Sequence, residues 1–233
     1  MWLAIAALVL AGCASTGSAG NSTTSARPAD VTDRAAETVA ATVEPEPTGV
    51  PGLTAADPFC AAWAAYVGTL QALGIAGSFG ELSSEQFAAL ELVSATRVVE
   101  VAAAIEAAWP AELAGEREVV LEQRIGPYVR RATRAVAALT DAGVTTAELS
   151  TLSAAWQAAL STRDPAVPVI QVPTIAADLQ AKVDAAASAY DAAVTPFAHD
   201  PSLSVDDVLT PSTDAYLVAH CPDLAASGVG DAI

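Results

Sequence analysis

Lysine is all but missing from this 233-residue chain: Lys182 is the single example, against nine arginines. Histidine is nearly as scarce, with only His199 and His220. Against ten Lys and Arg stand twenty-seven Asp and Glu, so the formal net charge is −17. A chain this acidic has no basic footprint for a phosphate backbone, which argues against nucleic acid as a partner. Anionic lipid headgroups attract basic segments, so adsorption to them by charge is disfavoured too. Two histidines leave little for imidazole catalysis or for a metal site. The sequence also lacks GxSxG, HExxH, a phosphate-binding loop and a dinucleotide-binding glycine fingerprint. The chain is therefore read as a non-enzyme, and no cofactor or metal is expected.

Cysteine is the next scarcity. There are three, Cys13, Cys60 and Cys221, and the first ends an apolar run. Residues Met1 to Gly12 hold no charged side chain, and the run Trp2 to Leu10 has the length of a signal-peptide core. As a helix it would be roughly 15 Å long, half of the ~30 Å hydrocarbon core, so it cannot span a bilayer alone. Small residues Ala11 and Gly12 precede the cysteine. The run Leu10-Ala11-Gly12-Cys13 resembles the lipobox of bacterial lipoproteins, though no Lys or Arg precedes it. The resemblance covers the first thirteen residues. It implies that the Cys13 sulfur receives a diacylglyceryl group, that a peptidase cuts before Cys13, and that the new amine is acylated. The expected location is the extracytoplasmic face of the cell membrane, with lipid on Cys13 as the anchor. Two or three acyl chains satisfy the usual need for two anchoring signals.

A lipid on Cys13 leaves Cys60 and Cys221 as a pair, and a secreted chain favours a disulfide between them. The alternatives are two free thiols, or a metal pair with His220 nearby. From Ala14 to about Thr54 the chain is rich in Ser, Thr, Ala, Gly, Pro and Glu, with no aromatics. Such a stretch has nothing to offset the entropy of ordering and reads as a disordered tether. About forty residues of coil reach roughly 35 Å. The expected organisation is a signal peptide over 1–12, a lipidated tether over 13–56 and one folded domain over 57–233.

The domain reads as helices throughout. Asp57-Pro58 suits a helix start, and Phe59, Trp63, Tyr66, Leu70 and Leu73 share one face. Ser83 to Gln86 fits a capping box before a second helix bearing Phe87, Leu90, Val98, Val101 and Ile105. A third helical region carries Leu121, Ile125, Val129, Ala132, Val136 and Leu139, and Pro127 predicts a kink or break there. Thr145 and Glu148 cap a fourth helix with Leu149, Leu152, Trp156 and Leu160. The proline-rich stretch 164–173 predicts an extended crossing. A fifth helix follows with Ile175, Leu179, Val183, Ala186, Tyr190 and Phe197, and a short one from Thr210-Pro211 to Cys221. The fold class is all-α: an antiparallel bundle of about five or six helices, stapled at its ends if Cys60 meets Cys221.

Two clusters are candidates for chemistry. Arg117, Arg124 and Arg131 recur every seven residues, with Arg130 and Arg134 beside them. On an unbroken helix the three border the apolar stripe. They predict ion pairs between helices, or else a groove that grips a carboxylate or phosphate. His199-Asp200-Pro201 and Asp206-Asp207 form the second cluster, read as helix termini and caps rather than a base or a ligand set. Trp63, Trp109 and Trp156 read as core or border residues. Two functions remain: a binding or interaction module of the cell envelope, its protein partner unidentified, and a carrier holding an apolar or anionic small molecule between helices.

Overall fold

A computed structural model describes residues 49–79, 82–162, 173–194 and 208–226. The expected signal peptide over 1–12, Cys13, residues 164–172 of the proline-rich stretch, Phe197 and the His199/Asp206 cluster lie outside these residues. The described chain is an all-α bundle with no strand among the described residues. Its principal helices are α1 (Pro58–Phe79), α2 (Ser84–Ala107), α4 (Gly126–Asp141), α5 (Thr146–Thr162), α6 (Ala177–Val194) and α7 (Pro211–His220). Shorter pieces are a 3₁₀ turn at Ala111–Leu113, the single turn α3 (Arg117–Val119), a π-helix at Val120–Ile125, and α8 (Pro222–Ala226).

Local chemistry sets the helix starts. The Asp57 carboxylate accepts from the amides of Phe59 and Cys60 at 2.8 and 3.1 Å, with Pro58 in the first helical position. Ser83 and Gln86 form a reciprocal capping box on α2. Thr145 and Glu148 do the same for α5. Each satisfies amides that the first turn leaves without a partner.

The π-helix follows from Pro127. Proline has no amide hydrogen to give to the Gln123 carbonyl, and its ring crowds that carbonyl. The chain relieves the conflict by widening the preceding turns instead of breaking, so the helical path continues from Arg117 to Asp141. Gly126, buried where the two registers join, leaves little room for a side chain: a Cβ there would lie 2.8 Å from Arg130 Nη1 and 3.0 Å from the Leu121 carbonyl oxygen.

Helix α2 is the centre of the bundle, packed by α1, α4, α5 and α6. Its ion pairs give the direction of α3 and α4. Glu106 near its end meets Arg117, and Glu91 near its start meets Arg131, so α4 returns antiparallel to α2. The apolar interior divides along α2. One part joins Leu90, Leu92 and Val93 to α4, α5 and α6 through Leu139, Trp156, Val183 and Tyr190. The other joins Val101 and Ile105 to Phe59 and Trp63 of α1, Val120 and Ile125 of the π-helix, and Leu217 of α7.

The folded region begins earlier than expected. Residues 49–56, assigned to the tether on composition, pack against the bundle. Val50 is buried and its amide donates to the Leu160 carbonyl at 3.0 Å. Gly49 makes this possible: its φ is +96°, and a Cβ would sit 2.6 Å from the Ser161 carbonyl oxygen. A single valine among prolines and glycines carries no periodic signal, and the partner it meets is more than a hundred residues away.

Candidate functional site

Cys60 and Cys221 are joined. The Asp57 cap fixes Cys60 in the first turn of α1, Cys221 ends α7, and their Cα atoms lie 5.4 Å apart. Both sulfurs are buried, so the free-thiol and metal-pair alternatives fall away. Around the bridge gathers half of the aromatic content of a chain with four Phe, four Trp and four Tyr. Phe59 meets Trp63, Trp109 and Tyr216 at centroid distances of 5.4 to 5.7 Å. Trp63 leads on to Tyr66 and Tyr128, and Tyr216 stacks on His220. Phe59, Trp63 and Tyr66 are buried, as their shared helix face implied, which makes this cluster core.

The three arginines at seven-residue spacing each meet a different carboxylate. Arg117 Nη2 lies 2.6 Å from Glu106 Oε1 on α2. Arg124 Nη1 donates to Asp214 Oδ1 at 2.8 Å and to the Thr210 hydroxyl, both at the start of α7, and its guanidinium sits 5.4 Å from the Trp63 ring centroid. Arg131 pairs with Glu91 of α2: Nη2 donates to Oε2 at 2.9 Å, and Nε lies 2.8 Å from Oε1. Of the three, only Arg124 lies within the π-helix. Arg124, inside the wider turns, faces α7, while Arg117 and Arg131 on either side of them both face α2. Burial raises the Glu91 carboxyl above its ordinary range, although Arg131 pulls it down.

Glu116 is a capping position that the sequence did not flag. Its carboxylate accepts from the amides of Ser212 and Thr213 at 2.9 and 2.8 Å, and from the Thr213 hydroxyl. It thus caps α7 from a different part of the chain. Burial opposes its charge, but those donors outweigh burial and hold the carboxyl at about 2. Glu148 is held at about 2 by the hydrogen bond from Lys182, then by the Thr145 amide and hydroxyl. No local pattern links Glu116 to a helix that begins ninety-five residues later.

Two of the grooves on the bundle are lined wholly by described residues. The first, of about 540 Å³, lies between α2 and the path from α3 to α4. Its floor is apolar, and its rim carries Glu106, Glu118, Glu122, Arg117 and Arg130. The second, of about 730 Å³, lies between α4 and α6 and is walled almost wholly by alanines, with Tyr190 in its wall and Arg134 and Asp141 beside them. So the arginines that share a groove are Arg117 and Arg130, and not the set of three. Among the described residues no three His, Cys, Asp or Glu side chains are placed to hold a metal ion, and no helix is long and apolar enough to cross a membrane. No family model, no curated protein and no solved structure matches this chain.

Proposed function

We propose that this chain is a lipid-anchored, extracytoplasmic binding module of the cell envelope, held to the membrane through Cys13. The closed Cys60–Cys221 bridge carries the reading. Bridges of this kind form and persist in oxidising compartments. Once it is closed, Cys13 is the one remaining cysteine, and it stands at the end of an apolar run in a lipobox-like sequence. Grooves between helices give such a module somewhere to bind.

The test is mass spectrometry of the intact protein from its own membrane fraction, for the wild type and Cys13→Ser. Wild-type chain beginning at residue 13 and carrying two or three acyl chains is the expected result. The mutant should retain its leader and carry no lipid. Unlipidated wild type, or a mutant that still carries acyl mass, overturns the anchor.

A second reading, a carrier of an apolar small molecule, draws on the alanine-walled groove between α4 and α6. Small side chains leave room for an apolar body, and the volume falls within the ~300–1,000 Å³ of ligand sites. Apolar ligand retained in a native mass spectrum at one molecule per chain supports it. A chain with no added mass under the same conditions counts against it.

A further inference from the structure

The groove between α2 and the π-helix has the chemistry of a docking site for a basic segment, and this inference rests on the binding-module reading above. Its floor consists of Val99, Ala102, Leu121, Ile125 and Val129. Its charges are not equivalent. Arg117 is held by Glu106, and Arg130 is engaged as well. Glu118 and Glu122, one turn apart on the rim, form no ion pair among the described residues. The unneutralised charge at the groove is therefore negative.

The rest of the molecule has the same bias. Arg97, Arg117, Arg124, Arg131 and Lys182 are each paired with a carboxylate, and Arg130 and Arg134 are engaged. The described surface thus presents carboxylates outward and keeps its cations for internal use, on a chain of net charge −17. Among the described residues a second copy of the chain offers no uncommitted basic face to meet these carboxylates. We infer that the groove takes an amphipathic, basic helical segment of a partner protein. Apolar side chains at i, i+3 or i+4, and i+7 would enter the floor, and Lys or Arg beside them would meet Glu118 and Glu122. The acidic field of the whole chain would speed the encounter, and the groove would fix its register.

The test uses the full chain and three synthetic helical peptides. One has leucines at that spacing flanked by arginines. One is its scrambled isomer. One carries Glu in place of Arg. The first should bind, the scrambled isomer should bind at least about 10-fold more weakly, and the acidic peptide should not bind. Two variants place the contact. Glu118→Lys/Glu122→Lys should weaken the first peptide by about 10-fold or more, and Ala103→Arg, an exposed alanine in the groove wall, should do the same. Asp178→Lys/Asp184→Lys changes the net charge equally but lies on α6, and should leave binding within about 2-fold. Equal binding of the scrambled isomer, or equal loss in the α6 variant, overturns the groove in favour of unspecific attraction. No binding of the first peptide overturns it outright. Cross-linking in the native envelope separates this from the broader reading: a partner captured equally by wild type and Ala103→Arg leaves the binding module standing and removes this groove as its site.

Discussion

Glu91 and Arg131 show how one residue pair can matter more than its distance suggests. Theirs is the most enclosed of the described ion pairs, with side-chain exposures of 13% and 32%. Tyr190, buried beside them, has its hydroxyl pushed up to about 12 by burial first and then by the charge of Glu91. Removing one member leaves the other charge in a poor solvent. Glu91→Ala should cost about 2–3 kcal/mol, somewhat less than the ~3–5 kcal/mol of a fully buried pair because Arg131 still reaches water. Glu91→Leu combined with Arg131→Met should recover much of that loss, since an apolar pair has no charge to desolvate. Denaturant unfolding of the two variants checks both statements. A cost below about 0.5 kcal/mol for Glu91→Ala would place the pair with ordinary surface bridges. The spacing of Arg117, Arg124 and Arg131 made ion pairs legible in the sequence. It could not name the partners, because Glu91 and Glu106 come from a different helix.

Helix α7 has ten residues, too few to be stable alone in water. It is fastened by Arg124 on Thr210 and Asp214, by Glu116 on its first amides, and by the bridge at its end. The Glu116 clasp has a pH dependence of known sign. A carboxyl held at about 2 in the fold, against about 4.5 in a free chain, adds stability in full above pH ~4.5 and loses it as pH falls through ~2. Glu148 acts in the same direction. Glu91, raised by burial, acts in the opposite one, since the fold takes up its proton first. Two groups against one predict a melting temperature that falls between pH 5 and pH 2. Glu116→Gln should flatten that fall, and a slope equal to wild type would dismiss the clasp. The start of α7 was legible from Thr210-Pro211, yet its cap was not. Caps at Asp57, Ser83 and Thr145 could be read because donor and acceptor lie within four residues. Pro127 was legible as a disturbance. Its outcome, a π-helix in place of a break, depends on packing that holds both flanks of the helix in line.

The described bundle is arranged around α2, and that centrality was not visible in advance. The apolar stripe Leu90, Val98, Val101 and Ile105 suggested one buried face. The fold buries Leu92, Val93 and Ala95 as well, because neighbours pack on several sides. Alanine is the reason the sequence could not show this. It suits a buried wall and an exposed one equally, so an alanine-rich helix carries little phase information. The bridge, by contrast, could be inferred from cysteine number once Cys13 was set apart. It closes a loop across 161 positions, for which the chain-entropy argument gives about 5 kcal/mol as an upper figure.

That same closure has a mechanical consequence. A protein pulled from a point upstream of Gly49 and a point beyond Ala226 feels tension along the shortest covalent path. The path runs from residue 49 to Cys60, crosses the sulfurs, and leaves from Cys221. Everything between the two cysteines hangs outside it as a slack loop. Extending only the loaded residues at ~3.5 Å each yields about 60 Å, whereas the reduced chain would release about 600 Å. In single-molecule pulling, the oxidised protein should show only the short step, and reductant should convert it to the long one. A long step without reductant would mean that the bridge does not bear load. When the domain is pulled by its two ends, the helices that form both grooves would then keep their shape while the ends of the domain take the strain.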